Sequence, residues 1–322
     1  MKNIFKFEKN KDISTKHISF EELENYSIRN VFRDTYDKFL RRPFYYLKYK
    51  DLFKNQNYKI DLVLPAKGFS HKSRRNRLNA IKKIKGKKIL NIGCGNAFDY
   101  HYWFKFNPEK IVGIDVLNYK KSWDKVSSYV KKKNIETAIE FYNLDFVNFQ
   151  YDEKFDFIVS DAVFEHCKDL RSVVKNCFKF LKDDGIMYAS YGGPMWYTYA
   201  GDHFSGRDNV KSGYNHLLLE KHDYEKYVDN NIGTFDFELN QGGGGGILVK
   251  NNLFSKWTAD QYFEIFHENN FYSKSTTVEY CPVGLDLLTH DISLRNKLLN
   301  KYKNIHLENF YLKTHIVYLE KK

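Results

Sequence analysis

The sequence predicts an α/β fold, a doubly wound sheet of mainly parallel strands with crossover helices. Three observations predict it. Short apolar runs recur at Ile89–Ile92, Ile111–Ile114, Ile139–Leu144, Phe155–Val159 and Gly185–Tyr191. Segments of helical length separate these runs, as buried parallel strands require. The first run opens directly into a glycine turn, Gly93-Cys94-Gly95. With 322 residues, 42% hydrophobic and 29% charged, the chain has material for a large core, which excludes a largely disordered class.

The elements follow in order. Residues 20–55 read as helical, with Phe32, Tyr36, Phe39 and Leu40 at i, i+4, i+7 and i+8 until Pro43 interrupts. Lys67 to Lys88 holds ten basic residues and no acid, with Leu78, Ile81 and Ile84 at helical spacing. This segment predicts a basic amphipathic helix starting near Ser70 or Ser73 and ending at Gly86. Residues 1–85 are therefore expected to form a helical, basic extension packing on a domain of residues 86–322. Val173, Cys177, Phe178 and Leu181 mark one crossover helix, ended by Asp183-Asp184-Gly185. The alternation then stops over residues 192–257, an insertion rich in aromatic residues and glycine that includes Gly242–Gly246. A helix returns at Thr258, its N-cap, with Tyr262, Ile265 and Phe266 on one face. Strands near Phe271–Tyr280 and Phe310–Leu319 complete a sheet of seven, and the alternation of the last one predicts a place near the sheet edge.

The charge is unevenly placed. Lys and Arg number 52 against 40 Asp and Glu, giving +12. Residues 1–88 carry 24 bases and 9 acids, or +15, which leaves 28 bases and 31 acids, or −3, for the rest. The basic segment reads as a solvated helix face or as a platform for an anionic partner: a phosphorylated substrate, RNA or an acidic membrane. Four cysteines without C-x-x-C spacing suggest neither a disulfide framework nor a zinc knuckle, and no metal site is expected. No apolar run approaches the roughly 20 residues of a membrane helix. The start lacks an apolar signal core, so a cytoplasmic protein is expected.

The glycine turn carries the sharpest functional signal. Glycines after a buried strand permit a tight turn and close approach of backbone to a ligand. Asp115 ends the next strand, 115 − 95 = 20 residues after Gly95, a spacing that suits an acid on ribose hydroxyls. Bulky Phe98 occupies the place where a dinucleotide loop has its third glycine, and no P-loop lysine is present. A nucleoside without a pyrophosphate suits the loop better.

Ile89-Leu90-Asn91-Ile92-Gly93-Cys94-Gly95-Asn96-Ala97 resembles the first motif of the class I S-adenosylmethionine-dependent methyltransferases. Asn91 stands where the family usually has an acid, and Ala97 where it has a third glycine. Asn143-Leu-Asp-Phe146, Phe155–His166 and Leu181–Ile186 resemble later motifs in the same order. The resemblance implies a Rossmann-like, seven-stranded fold with S-adenosylmethionine as cofactor. It implies contacts from Asn91, Gly93, Cys94, Gly95, Asn96, Asp115 and Val116. It places Asp145 on the adenine amine, Phe146 on the ring, and Ser160 and Asp161 beside the cofactor. His166 is read as fixing the adjacent helix, and Cys94 as a packing residue beside the loop.

Methyl transfer to a hydroxyl needs a group to take the proton, and histidine is the commonest. The insertion offers His203 as base with Asp202 as orienter, His216 as a second catalytic or substrate residue, and Trp196, Tyr197 and Tyr199 as a stacking wall. Ser160-Asp-Ala-Val163 departs from the Asn/Asp-Pro-Pro-aromatic run of methyltransferases that act on base amines. The insertion's Gly-x-x-x-Trp…Asn-His-Leu-Leu pattern resembles bacterial methyltransferases of surface-glycan assembly. A sugar or glycan-precursor hydroxyl, on a small or phosphorylated acceptor, is therefore expected. The rivals are an RNA methyltransferase using residues 67–88 and a non-catalytic cofactor-binding module.

Overall fold

The computed structural model describes residues 12, 32, 35–66, 69–192, 196–198, 213–230 and 255–322. Eight strands form one sheet: β1 Leu62–Pro65, β2 Lys88–Ile92, β3 Lys110–Asp115, β4 Ala138–Asn143, β5 Phe155–Asp161, β6 Leu181–Gly192, β7 Phe271–Tyr280 and β8 Leu312–Lys321. Their order across the sheet is β1-β7-β8-β6-β5-β2-β3-β4. The five strands of residues 88–192 and the last two follow the predicted chain order. β8 is antiparallel to both β6 and β7, and the remaining pairs are parallel.

Two expectations change here. The sheet has eight strands rather than seven, because the amino-terminal segment contributes β1. Four residues ending in Pro65 are too short to read as a strand, yet Val63 and Leu64 are fully buried against β7. The extension is thus woven into the sheet and is not solely helical. The last strand also lies inside the sheet, since β8 inserts between β6 and β7. Ile316, Val317, Tyr318 and Leu319 are all buried, so both faces of β8 are covered.

Each face of the sheet carries one hydrophobic cluster. Leu90, Ile92, Ile158 and Phe263 belong to one, and Ile89, Trp103, Phe157 and Tyr188 to the other. Each fully buried Leu or Ile contributes roughly 1.5–3 kcal/mol. His315 of β8 is buried between the Tyr58 hydroxyl, 2.6 Å from Nε2, and the Tyr191 hydroxyl, 3.2 Å from Nδ1. Burial pushes its pKa down to about 3, so it stays neutral.

A third cluster joins segments far apart in sequence. Phe53 and Val63, Trp196 and Leu217 of the insertion, and Leu288, Leu298 and Phe310 pack together. Leu288 and Leu298 lie on helices Pro282–His290 and Ile292–Lys301, which connect β7 to β8. The Tyr214 hydroxyl donates to the Phe310 carbonyl at 2.6 Å and ties the insertion to that connection. Where the insertion is described, it packs into a cluster shared with β1, β7, β8 and the connection between the last two strands.

The expected basic helix forms at His71–Ile81, with Ser70 as N-cap accepting from the Ser73 amide, but it stops at Ile81 rather than Gly86, since Lys82 is already extended. The returning helix is Ala259–Glu268, with a capping box between Thr258 and Gln261. Pro43 does not end a helix. It occupies the first turn of Arg42–Tyr49, where its missing N–H costs nothing. The chain enters that helix through a π-turn at Asp37–Arg41.

Candidate cofactor and acceptor site

A cavity of about 250 Å³ opens at the carboxyl ends of β2, β3 and β5. This is the edge at which open α/β sheets bind ligands. Gly93 and Gly95 form one wall, Asp115 and Val116 a second, Asp145 and Phe146 a third, and Asp161 lies between the strand ends. Seven of the expected cofactor residues are therefore brought together.

The glycine turn is sterically fixed. Gly93 has φ +67°, and a Cβ there would meet the Val163 side chain at 2.1 Å. Gly95 has φ +50°, and a Cβ there would meet nothing within 4 Å, so its backbone faces open space. Trp123 Nε1 donates to the Gly95 carbonyl at 2.7 Å and anchors the turn from helix Lys120–Lys132. Ala97, in the family's third-glycine place, adopts φ +56°, and Ala162, which lines the cavity, adopts φ +55°. Left-handed backbone costs a non-glycine residue roughly 1–2 kcal/mol, and such strain gathers at functional sites.

Asp115 is held by backbone alone. Its Oδ2 accepts from the Gly95 amide at 2.8 Å and its Oδ1 from the Leu117 amide at 2.9 Å. Burial pushes its pKa up to about 6 against the pull of the Leu117, Gly95 and Val116 amides. Among the described residues no cation pairs with it, and each oxygen keeps capacity for a further donor. Vicinal ribose hydroxyls are such donors, so the cavity fits the nucleoside part of S-adenosylmethionine. Asp145 caps the turn Phe146–Asn148 by accepting from the Val147 amide at 3.1 Å, while Phe146 packs in the core with its ring 6.1 Å from that of Phe149.

Four expected cofactor residues are not cavity walls. Asn91 is buried in β2, where Nδ2 lies 3.4 Å from the Tyr100 hydroxyl. Asn96 accepts from the Ser122 hydroxyl at 2.8 Å, toward helix Lys120–Lys132. Ser160 is buried in β5. Cys94 is buried as well, and its thiol is pushed well above its usual range by burial and then by Asp115. His166, read from sequence as a helix-fixing residue, does line the cavity, as do Tyr119 and Cys167.

Asp161 contrasts with Asp115. Arg75 Nη2 binds its Oδ2 at 2.5 Å and Arg74 Nη1 its Oδ1 at 3.2 Å. Tyr188 donates to the same carboxylate, and Ser190 does so at 2.6 Å. Burial alone would raise the carboxyl, but Arg75, His71 and Arg74 outweigh it and hold it far below the usual range. Arg75 is itself 1% exposed, reaches Asp99 at 2.7 Å, and stacks on Trp103 with its guanidinium 4.2 Å from the ring centroid. Arg74 also donates to the Phe69 carbonyl and approaches Glu279 at 3.9 Å. Arg77 reaches the Ser275 hydroxyl at 2.5 Å. The three arginines of the basic helix are thus committed inside the fold. They form neither a solvated face nor a platform.

His71, exposed at the start of that helix, completes the rim. Its ring and the carboxylates of Asp99 and Asp161 offer atoms that lie within 4.8 Å of one another. The spacing is that of a metal site, but the Arg75 guanidinium already bridges both carboxylates, and a second cation there would face it. Asp184 lies at the far end of β6 from Asp161 and pairs with Lys82 at 2.8 Å, so these two acids do not converge.

The acceptor residues fare differently. His203, Asp202 and Tyr199 lie outside the described residues, as does Gly242–Gly246. His216 is buried on the short helix Asn215–Leu218, its ring 6.4 Å from that of Tyr214. Trp196 is buried with its ring edge-on to Tyr302 at 5.0 Å and to Phe310 at 6.1 Å, which makes it part of the insertion's core. Tyr197 is half-buried; burial, then the nearby Cys281, Glu165 and Glu279, push its hydroxyl above the usual phenol range.

Comparison with known proteins agrees with this geometry. Residues 83–227 match a family model described as a methyltransferase domain. These residues are a class I, S-adenosylmethionine-dependent methyltransferase domain. A malonyl-[acyl-carrier protein] O-methyltransferase of Acetivibrio thermocellus is 29% identical over 118 residues, 36% of this chain and 39% of the relative. A ubiquinone biosynthesis O-methyltransferase of Pelagibacter ubique is 26% identical over 199 residues, 62% of this chain and 75% of the relative. The match to the first of these spans about two-fifths of the relative's length. Among solved structures, the O-methyltransferase of a trans-AT polyketide multienzyme of Brevibacillus brevis, in complex with S-adenosyl-L-homocysteine, has TM-score 0.45 at 13% identity, covering 78% of this chain and 71% of that one.

Proposed function

We propose that the protein transfers a methyl group from S-adenosylmethionine to a hydroxyl of a small polar acceptor, a sugar or glycan precursor, in the cytoplasm. The observation that carries the proposal is the Asp115 carboxylate, held by the Gly95 and Leu117 amides and lining, with the glycine turn, one cavity of about 250 Å³. The cofactor supplies an electrophilic methyl on its sulfonium. The chain's work is to position the acceptor and take its proton. Oxygen as the accepting atom is supported by Ser160-Asp-Ala-Val163 at the end of β5, which lacks the prolines that grip a planar amine. It is also supported by the relatives named O-methyltransferases. The sugar rests on the resemblance of the insertion, residues 192–257, which we take as the substrate cap.

For the base, the sequence argues for His203 with Asp202, assisted by His216. The described geometry adds His71, beside the Asp161 carboxylate that lines the cavity. An RNA acceptor loses its main support, because Arg74, Arg75 and Arg77 bind within the fold. The test is transfer of labelled methyl into cell extract separated into glycan, RNA, protein and small-molecule pools. Label in the glycan or small-molecule pool is expected; label confined to RNA contradicts the reading. His71→Gln and His203→Gln, assayed on the labelled pool with cofactor affinity measured alongside, decide between the two bases. The true base loses turnover at unchanged affinity.

A further inference from the structure

The helical run before β1 has two apolar faces, and among the described residues only one is covered. Tyr45 and Tyr49 stack at 5.6 Å and pack on Tyr280, with ring centroids 6.5 and 4.9 Å away. Phe53 continues this inner face into the insertion's core. The other face carries Phe32, Tyr36, Phe39, Leu40, Phe44 and Leu47, at the three- and four-residue spacing of one helix side. These six are between 57% and 73% exposed. Exposure of isolated apolar residues is ordinary, but a continuous stripe marks an interaction surface.

Cations border the stripe. Lys38 Nζ lies 5.1 Å from the Phe39 ring centroid, and Lys48 Nζ 5.9 Å from that of Phe44. Lys50 and Lys54 are exposed on the following turn. Asp51, the acid of that turn, pairs with Lys54 at 3.3 Å. The sequence offers residues 67–88 as a solvated face or a platform for an anionic partner, but their arginines are committed to Asp161, Asp99, Glu279 and Ser275. On the earlier helical run, Lys38 and Lys50 are exposed beside this apolar surface and pair with no acid among the described residues.

We propose that this face docks on an anionic lipid surface. Phe, Leu and Tyr enter the boundary between headgroups and acyl chains while the lysines meet lipid phosphates, the arrangement of an interfacial amphipathic helix. Charge argues against a second copy of the chain on the same face, since a two-fold pairing would set the lysine borders of both copies against each other. The surface is mechanically joined to the cofactor side of the molecule. Arg42 Nη2 donates to the Ser73 hydroxyl at 3.0 Å, and its guanidinium lies 4.8 Å from the Phe69 ring centroid. Helix His71–Ile81, which holds Asp161, therefore rests on the docking helix. None of the described residues forms a helix long and apolar enough to cross a membrane, so the contact is peripheral.

The experiment is flotation of the full chain with phosphatidylcholine vesicles, with and without roughly a third phosphatidylglycerol. Binding to the anionic vesicles, weakened by added salt, is expected. Phe44→Ser combined with Leu47→Asn should lower the partition coefficient at least about tenfold, as removal of two large apolar anchors implies. Its melting temperature and S-adenosylmethionine affinity should stay near wild-type values, because both side chains are mostly exposed and neither lines the cavity. Lys38→Gln with Lys48→Gln should lower binding to anionic vesicles and leave the small binding to neutral ones unchanged. Absence of wild-type binding to anionic vesicles overturns the proposal, as does equal partitioning of the Phe44/Leu47 variant. A wild-type dimer in solution that the same variant dissociates would assign the face to a second copy and overturn it equally.

Discussion

Two carboxylates end the strands on either side of β2 and have opposite surroundings. Asp115 on β3 receives backbone amides from Gly95 and Leu117, has no cation among the described residues, and is pushed up to about 6 by burial. Asp161 on β5 is clamped by Arg75, Arg74, Tyr188 and Ser190, which hold it far below the usual carboxylate range. The first keeps lone pairs open, which is why we propose it as the group that receives a ligand's hydroxyls. The second is saturated by its own chain and fastens helix His71–Ile81 over the strand ends. An acid at the end of a parallel strand is thus not enough to assign a role; what already satisfies it decides.

Breaking the clamp should have the largest effect. Arg75→Met leaves Asp161 and Asp99 without their shared cation in a buried place. Loss of one partner of such a group costs about 3–5 kcal/mol. Urea unfolding should show that loss, and a variant as stable as wild type would mean that the clamp is decorative. Arg75→Met with Asp161→Leu should recover part of it, since replacing both charges removes the unpaired one.

Asp115→Ala should act on the other carboxylate with the reverse balance. It removes a ligand acceptor and relieves a buried charge. Cofactor affinity should fall at least about a hundredfold, equivalent to about 2.7 kcal/mol, with stability unchanged or slightly raised near neutral pH. A folded-state pKa near 6 lies above the ordinary 3.8, so the folded chain binds this proton more tightly than the unfolded one. The stability linked to that proton is full below about 4 and is lost as pH rises through about 6. Asp115→Ala should remove this component from a stability–pH profile.

The smallest expected effect concerns the strained turn. Ala97→Gly removes a left-handed alanine but also a buried methyl group, so the net gain should be at most about 1 kcal/mol. A melting temperature lowered by several degrees would show that the methyl's packing outweighs the strain.

The same contrast explains what was legible in the sequence. Asp115 is built from residues within 20 positions of it, Gly95 to Leu117, so a turn and a spacing sufficed to find it. The strands from Ile89 to Tyr191 were legible for the same reason, each being a local apolar run bounded by its own turn. The Asp161 clamp joins residues 86 and 87 positions apart, and no local pattern announces that a run of arginines turns inward. β1 escaped because four residues carry too little periodicity. The placement of β8 inside the sheet depends on a neighbour, β7, that the alternation within β8 cannot reveal. Trp196 reads as a stacking wall because its sequence neighbours are aromatic, yet its ring is covered by Tyr302 and Phe310 from a connection about a hundred positions away.

The central claim is that Asp115, ionised, receives the cofactor's ribose, and calorimetric titration with S-adenosylmethionine from pH 5 to pH 8 tests it most directly. Protonation removes an acceptor, so wild-type affinity should be level above about pH 7 and fall by up to about tenfold per unit below about 6. Asp115→Asn should bind more weakly at pH 8 and show no such fall. Wild-type affinity that is level across the range, or an equal fall in Asp115→Asn, would contradict the account.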